Sequence, residues 1–378
     1  MNASNPAGKP LRLPAAVERT VNPVTVTLLC LSLLVLAVIA GSGGDPLALA
    51  RLGTRFSLGD PNGSEGYDGQ FTYYIARNPA PSQVAALLDV PAYRYQRILL
   101  PLLARAASFG RIPAMPWTIP LLLILAQAAG TWCVAELLHG WGVSRWYAVV
   151  YGLWAGFTLA VRLDLPEPLA YALVVGAILA GQRRRPALSW VLYGLALFAR
   201  EATIPFILAQ GLSDLLQRRW RNALGLALVA VLPYALFQGW LWQVFGHPGL
   251  ASGGAMATPF ELIPFMGLLR IGQYSLAYLG AMLVVFGPAI ILPALWGIWQ
   301  SLKKWLSGDG NVLVLGLLFN ACLVLFLPFS TFRETGGLIR FACGLVTSFL
   351  LFAGYYRMKR PLNYSIFWLI FNVFLLKS

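Results

Sequence analysis

Apolar runs close to the thickness of a bilayer recur along this chain, and short turns rich in arginine and lysine separate them. The first, Val24 to Ala40, carries no charge and approaches the ~20 residues that a helix needs to cross hydrocarbon. Eleven runs read as helices: 24–41, 114–138, 146–162, 167–182, 187–200, 202–216, 223–244, 273–299, 311–329, 338–356 and 361–376. The stretch 187–216 is a helical hairpin split at "REAT". Only 11% of the residues are charged, against about 25% in a soluble domain. The fold class this predicts is all-α: a polytopic membrane protein of about eleven transmembrane helices. A cleaved signal peptide has a shorter apolar core and a small-residue cleavage site. The first run is too long and "VIAGSGG" fits such a site poorly, so it reads as an uncleaved helix.

The run 93–111, "YRYQRILLPLLARAASFGR", is excluded as a further span. Only Ile98 to Ala104 separate Arg97 from Arg105, which is roughly 10 Å of helix, with Pro101 among them. Basic residues concentrate in cytoplasmic loops. With eleven spans and the N-terminus inside, Lys9, Arg12, Arg19, Arg145, Arg183 to Arg185, Arg218, Arg219, Arg221, Lys303, Lys304, Arg357, Lys359 and Arg360 all fall on one side. A span at 98–110 would throw the later basic loops outside. Residues 42–113 therefore form one long extracytoplasmic loop. In it, 93–111 is expected as an amphipathic helix at the outer leaflet, with Arg94, Arg97 and Arg105 near one face. The chain divides into a cytoplasmic tail (1–23), a membrane core (24–220, including the loop 42–113) and C-terminal transmembrane helices (221–378).

The net charge of +14 does not point to nucleic acid, because the basic residues form topological groups rather than one patch. Cys30, Cys133, Cys322 and Cys343 lie in apolar runs without a CxxC pair and read as small buried hydrophobes. His139 and His247 lie in different loops. No metal site is assigned.

The acids are skewed. Asp45, Asp60, Glu65, Asp68, Asp89, Asp164, Glu167, Glu201, Glu261 and Glu334 all fall on the outer side or at outer helix ends, and orientation rules do not explain this, since Asp and Glu contribute little to topology. Several sit beside arginine in apolar surroundings: Asp164 and Glu167 near Arg162, Arg200 with Glu201, and Arg333, Glu334 and Arg340. Ionisable groups at membrane depth normally face a bundle interior or a watery cavity, so these groups are expected to line a shared outer cavity. In "GYDGQFTYYIARNP" (66–79), Phe71, Tyr74 and Ile75 recur at helical spacing. Asp68 then stands at the N-terminal end of a short helix on the outer leaflet, as an N-cap or as an acid with glycine on either side giving a ligand close approach. "DPNGSEGYD" is not a calcium hand, which needs Gly at its sixth and Glu at its twelfth position. Counted from Asp60, those positions hold Glu65 and Phe71.

The stretch Tyr67 to Pro79 resembles the aromatic-Asp-Gly motif of the second mannosyltransferase of GPI-anchor synthesis and its bacterial relatives. The run from Arg162 to Pro205 is similar to the repeated core of the GT-C superfamily of membrane glycosyltransferases, with an outer acid, a helix, an inner basic turn, a helix and an outer charged turn. The likeness covers about residues 24 to 220; the helices beyond match only in being helices. The resemblance implies a transferase that takes a sugar from a polyprenyl phosphate, with its site at the outer face of a bacterial cytoplasmic membrane. An acid of the first outer loop would be general base on the acceptor, a role that maps onto Asp68, with Asp60 and Glu65 as other holders. Tyr67, Gln70, Arg94, Arg97, Asp164, Glu167, Arg200, Glu201, Arg333, Glu334 and Arg340 would bind substrate. The loop has no Asp-x-Asp pair, so a divalent metal is possible but not assigned. Partners are the lipid-linked sugar, membrane lipids and an acceptor the sequence does not name. The chemistry agrees: glycosyl transfer needs a base for the acceptor and cations for the leaving phosphate, and there is no P-loop or GxGxxG. The alternatives are a flippase or transporter of lipid-linked sugars, which would show repeats and ionisable groups near the midplane, and a non-catalytic scaffold of the same fold.

Overall fold

Where each helix begins follows from local chemistry. In a computed structural model describing residues 21–375, helix α1 (Pro23–Gly41) starts where Asn22 accepts from the amides of Val24 and Thr25 and Pro23 takes the first turn, where a missing N–H is harmless. The tail 1–20 and residues 376–378 lie outside the described residues. No β-strand occurs among those described, and the fold is all-α. Five helices are long and apolar enough to cross a membrane: Pro23–Gly41, Ile112–Gly140, Trp220–Phe245, Leu276–Leu306 and Thr335–Tyr355.

The segment after α1 folds back on the bundle instead of lying on a leaflet. Its helices are α2 (Gly69–Arg77), α3 (Pro91–Tyr95) and α4 (Leu99–Ala107). Residues 69–76 of α2 are all buried, so the expectation of a surface-lying anchor helix is corrected. The single amphipathic helix expected over 93–111 is also corrected. It breaks at Gln96–Ile98, because Pro101 cannot donate to the carbonyl of Arg97 and its ring clashes with it. Arg94 and Arg97 are 9% and 7% exposed, turned inward and away from headgroups. Arg105 instead donates from Nη1 to the carbonyls of Ala76 and Arg77, closing the C-terminal end of α2 with a cation.

Beyond it run α5 (Met115–Gly140), α6 (Ala155–Arg162), α7 (Glu167–Gln182), α8 (Pro186–Ala199), α9 (Ile204–Leu216), α10 (Trp220–Phe245), α11 (Leu276–Leu306), α12 (Val312–Leu325) and α13 (Thr335–Tyr355). Helix α7 packs between α5 and α8, α12 against α9, α11 and α13, and α1 against α5. The expected helix 146–162 is interrupted at Gly152–Trp154, where a Cβ on Gly152 would sit 2.1 Å from Thr27 Oγ1 of α1. The carbonyls freed there are bonded by Gln127 Nε2 (to Tyr151, 2.9 Å) and Asn372 Nδ2 (to Leu153, 2.6 Å), as buried backbone requires. The last segment is a short α14 (Lys359–Ser365) running into a 3₁₀ stretch, Ile366–Leu375, rather than one helix over 361–376.

Prolines shape helices α10 and α11. Four residues before Pro233 and Pro293 the turn widens into π-geometry, at Ala227–Val231 and Gly287–Ile291, as it does where the i−4 carbonyl loses its donor. In α11 the released carbonyls find side chains: the Tyr364 hydroxyl donates to Pro288 and Trp368 Nε1 donates to Ala289 at 2.7 Å.

Side-chain bonds divide the turns between two ends. At one end Arg145 and Arg183 both pair with Glu136, Arg357 Nε donates to the Trp141 carbonyl, and Gly310 abuts Leu216. The segment 42–113, the turns 163–166 and 200–203, and the loops 246–265 and 326–334 meet at the other end, where the site lies.

Candidate functional site

Asp68 immediately precedes α2, with an αR backbone and no capping bond from its side chain. The expected N-cap role is therefore not what its carboxylate performs. Arg94 Nη2 lies 3.0 Å from Oδ1 and Arg340 Nη2 lies 3.3 Å from Oδ2. The flanking glycines serve the backbone, not a ligand. A Cβ on Gly69 would lie 2.1 Å from the Leu163 carbonyl, and Gly66 has φ +69° with Arg51 and Gly53 closing over it. The side chain of Asp68 remains 30% exposed, facing a polar cavity of about 520 Å³.

Each of the two arginines on Asp68 is held by a second acid. Arg94 forks onto Asp89, with Nε to Oδ1 at 2.7 Å and Nη2 to Oδ2 at 2.8 Å, the bidentate geometry guanidinium favours. Its Cζ also lies 4.4 Å from the Phe71 ring centroid, a cation–π contact. Arg340, from the first turns of α13, donates through Nε to Glu167 Oε1 (2.5 Å) and through Nη1 to the Tyr67 hydroxyl (3.1 Å). Tyr67 in turn donates to Glu334 Oε1 at 2.6 Å. Arg200 pairs with the same fully buried Glu167. Arg97 bonds both oxygens of Glu201 and donates to the Tyr93 hydroxyl at 2.5 Å. Arg333 is exposed at the mouth and makes no ion pair among the described residues.

This lattice sets the protonation of the loop acids. Burial pushes the Asp68 carboxyl up, but the guanidinium groups of Arg94, Arg340 and Arg97 outweigh it and hold it well below the usual carboxylate range. Burial likewise opposes, and the Arg94 fork overcomes, at Asp89, whose pKa is lowered. Glu201 is held down to about 2, against burial, by Arg97. Burial pushes the Tyr67 hydroxyl up, so it stays a donor.

Most of the residues read from the sequence converge here, and some do not. Tyr67, Asp68, Arg94, Arg200, Arg333, Glu334 and Arg340 line the cavity, while Arg97, Glu167 and Glu201 brace it from behind. Gln70 touches it, but its amide ties the loop: Oε1 accepts from Gly53 N and Nε2 donates to the Glu65 carbonyl. Glu65 stands on the rim, paired with Arg55. Asp60 is away from the cavity, accepting from Asn62 N in an exposed turn, so the structure does not bring it to the site. Asp164 is 1% exposed and off the lining, with Oδ1 unbonded among the described residues.

Sequence reasoning missed Asp89 and Tyr93. Asp89 was counted among the outer acids, and its position five residues before Arg94, just ahead of the proline that opens α3, was the available signal. It also missed the loop that closes the site. Ala255 N donates to Asp89 Oδ2 (3.2 Å), and Thr258 and Ser330 exchange hydrogen bonds, which pins this loop to the 326–334 turn. An apolar groove of about 760 Å³ adjoins the polar cavity, sharing Tyr93, Ala257, Ser330, Thr331 and Phe341 with it. It runs on between Ile204, Leu208, Phe319, Leu323 and Phe326.

Among the described residues no three His, Cys, Asp or Glu side chains converge as a metal site. Asp68, Asp89 and Glu334 are each engaged by arginine or tyrosine, so these residues do not fit the divalent cation that the family resemblance left open. No family model, no curated protein and no solved structure matches this chain. What the fold and the cavity define is a class: an all-α protein with membrane-spanning helices, carrying at one end a carboxylate set among arginines.

Proposed function

We propose that this cavity transfers a sugar from a polyprenyl-phosphate donor to an acceptor hydroxyl, at the extracytoplasmic face of a chain that crosses the membrane eleven times. The observation that carries the reading is the joining of two environments: a partly exposed carboxylate between two guanidinium groups, and beside it an apolar groove. An isoprenoid chain suits the groove, and a phosphate at the junction meets Arg94, Arg340 and Arg333, which donate in the planar fork that phosphate accepts. In the reaction the acceptor oxygen bonds to the anomeric carbon as the bond from that carbon to the phosphate oxygen breaks. The acceptor proton passes to Asp68, and polyprenyl phosphate departs with the bond's electron pair, its charge met by the arginines. A donor phosphate must take guanidinium bonds from Asp68, which frees the carboxylate for the acceptor. Binding the donor thus readies the base.

The alternation of ends supports eleven crossings. All the loops named at the site follow or precede helices in strict up-and-down order, and the opposite end collects Arg145, Arg183, Arg357 and Lys304, as cytoplasmic loops do. Purified protein incubated with a labelled polyprenyl-phosphate hexose and a membrane extract as acceptor source should release polyprenyl phosphate and label a product. Donor that binds and is recovered intact would instead mark a transporter, and donor that does not bind would sink both.

A further inference from the structure

The end of the molecule remote from Asp68 holds a second cavity of about 740 Å³, which the reading above does not use. One wall is a face of α11, where Pro293, Trp296 and Gln300 follow at helical spacing. Phe349 of α13 stacks obliquely on Trp296, with ring centroids 4.7 Å apart. The other wall is the turn into α14, with Met358, Pro361 and Tyr364. The depth is thus apolar. The mouth is not: Arg357, Lys359 and Arg360 line it, all exposed, and no acid lines it.

These cations lack partners of opposite charge. Lys359 and Arg360 make no ion pair among the described residues, and Arg357 is tethered only through Nε, to the Trp141 carbonyl at 2.7 Å. The acids at this end are engaged elsewhere: Asp309 is taken by the Tyr356 hydroxyl (2.5 Å) and by Asn311 Nδ2 (2.8 Å), and Glu136 by Arg145 and Arg183. Lys303 stands one turn beyond Gln300 on the same face of α11, adding a fourth positive charge on that side. Three exposed cations around an apolar cleft between membrane helices leave a surplus of positive charge where lipid headgroups lie, and basic pockets between transmembrane helices select anionic lipids.

We propose that this cleft is a binding site for an anionic phospholipid, its phosphate held by Arg357, Lys359 and Arg360 and an acyl chain laid against Trp296 and Phe349. The volume lies within the ~300–1,000 Å³ of ligand sites. The lipid bridges α11 to α13 and α14, which follow it in sequence after α12, and so fastens the end of the bundle opposite the polar cavity.

The test uses the full chain in detergent micelles, titrated with dioleoyl phosphatidylglycerol or dioleoyl phosphatidylcholine, with retained lipid per chain as readout. Wild type should bind phosphatidylglycerol about tenfold more tightly than phosphatidylcholine. Lys359→Gln/Arg360→Gln should bring the two within about twofold, whereas Arg184→Gln/Arg185→Gln, at another basic turn, should keep the preference. If the first variant pair does not fold, Gln300→Glu, which sets a carboxylate at the mouth, should produce the same loss. Dibrominated phosphatidylglycerol should quench a fluorescence component that Trp296→Phe removes. Equal binding of the two lipids by wild type, equal loss in the control pair, or displacement by millimolar inorganic phosphate alone would each overturn the proposal.

Discussion

Replacing Asp68 with asparagine separates its two relations, to the arginines and to an acceptor. The substitution removes the charge and leaves one oxygen, which can accept from Arg94 or from Arg340 but not from both. Neither guanidinium is orphaned: Arg94 keeps its fork on Asp89 and Arg340 keeps Glu167. Stranding a buried charge costs about 3–5 kcal/mol. Here the loss is one charge-assisted bond at a partly exposed site, about 1.5–3 kcal/mol at most, and the neutral oxygen recovers part of it. Folding should survive, with the melting midpoint in detergent lowered by a few degrees. Transfer should not survive, because asparagine cannot accept the acceptor's proton. A general base contributes roughly 10²–10⁴ in rate, or about 3–5.5 kcal/mol of barrier. The assay is release of polyprenyl phosphate under single-turnover conditions, with melting recorded on the same preparation. Near-normal rate in the well-folded variant would refute Asp68 as base and leave it a counter-ion of the arginines. Collapse of melting with activity would show that the two acids behind the arginines do not compensate.

Three further outcomes follow from the geometry. Arg340→Lys should weaken polyprenyl phosphate binding at least tenfold while the protein still folds, since one ammonium cannot reach Glu167, Tyr67 and Asp68 in three directions as the guanidinium does; unchanged affinity in a binding titration counts against the assignment. Because Arg94 and Arg340 depress the Asp68 pKa, the folded protein keeps this carboxylate ionised below the ordinary value near 4; the stability it confers is full above that value and is lost as pH falls from there through the depressed folded pKa. The acid limb of kcat/KM, which reports free enzyme, should therefore lie below pH 4, and that of kcat should lie higher once phosphate draws the arginines away; coincident limbs in a pH–rate series contradict this exchange. In a cysteine-free background, Asn62→Cys should label from outside intact cells and Arg184→Cys should not, with the reverse result inverting the topology. Position 62 is preferred to 63 because a Cβ on Gly63 would lie 2.3 Å from Thr54 Oγ1.

Periodicity and charge made the helical class and the membership of the charged cluster legible, because long apolar runs and charges stranded among them are local signals; the pairing was not, since Arg200 bonds Glu167 and Glu201 bonds Arg97 rather than each other. What depended on close approach was not legible. The glycines around Asp68 looked like room for a ligand, and the structure shows them receiving the Leu163 carbonyl and the 51–53 backbone. The run carrying Arg94 and Arg97 looked like one amphipathic helix on the outer leaflet, but Pro101 breaks it and both side chains are buried. Asp89 gave only its closeness in sequence to Arg94 as a sign of its partner, since the fork onto it depends on how α3 turns. Gln70 was read as a substrate contact from its neighbourhood, when its bonds run to the backbone of residues 53 and 65.

The hydrogen bonds from Tyr364 and Trp368 to α11 have a consequence for the order of assembly. A ribosome makes residues 288 and 289 long before it makes 364 and 368. Until the segment 359–375 arrives, α11 carries two carbonyls that Pro293 cannot serve, in surroundings where an unbonded carbonyl is costly. The helix is thus left incomplete by its own sequence, and the hydroxyl and indole that complete it come from a stretch synthesised well after it. Docking of the segment after α13 is therefore the step that covers both carbonyls and completes α11. A nascent chain halted before residue 364 should accordingly expose Gly287–Ile291 to hydrogen exchange that the full chain suppresses.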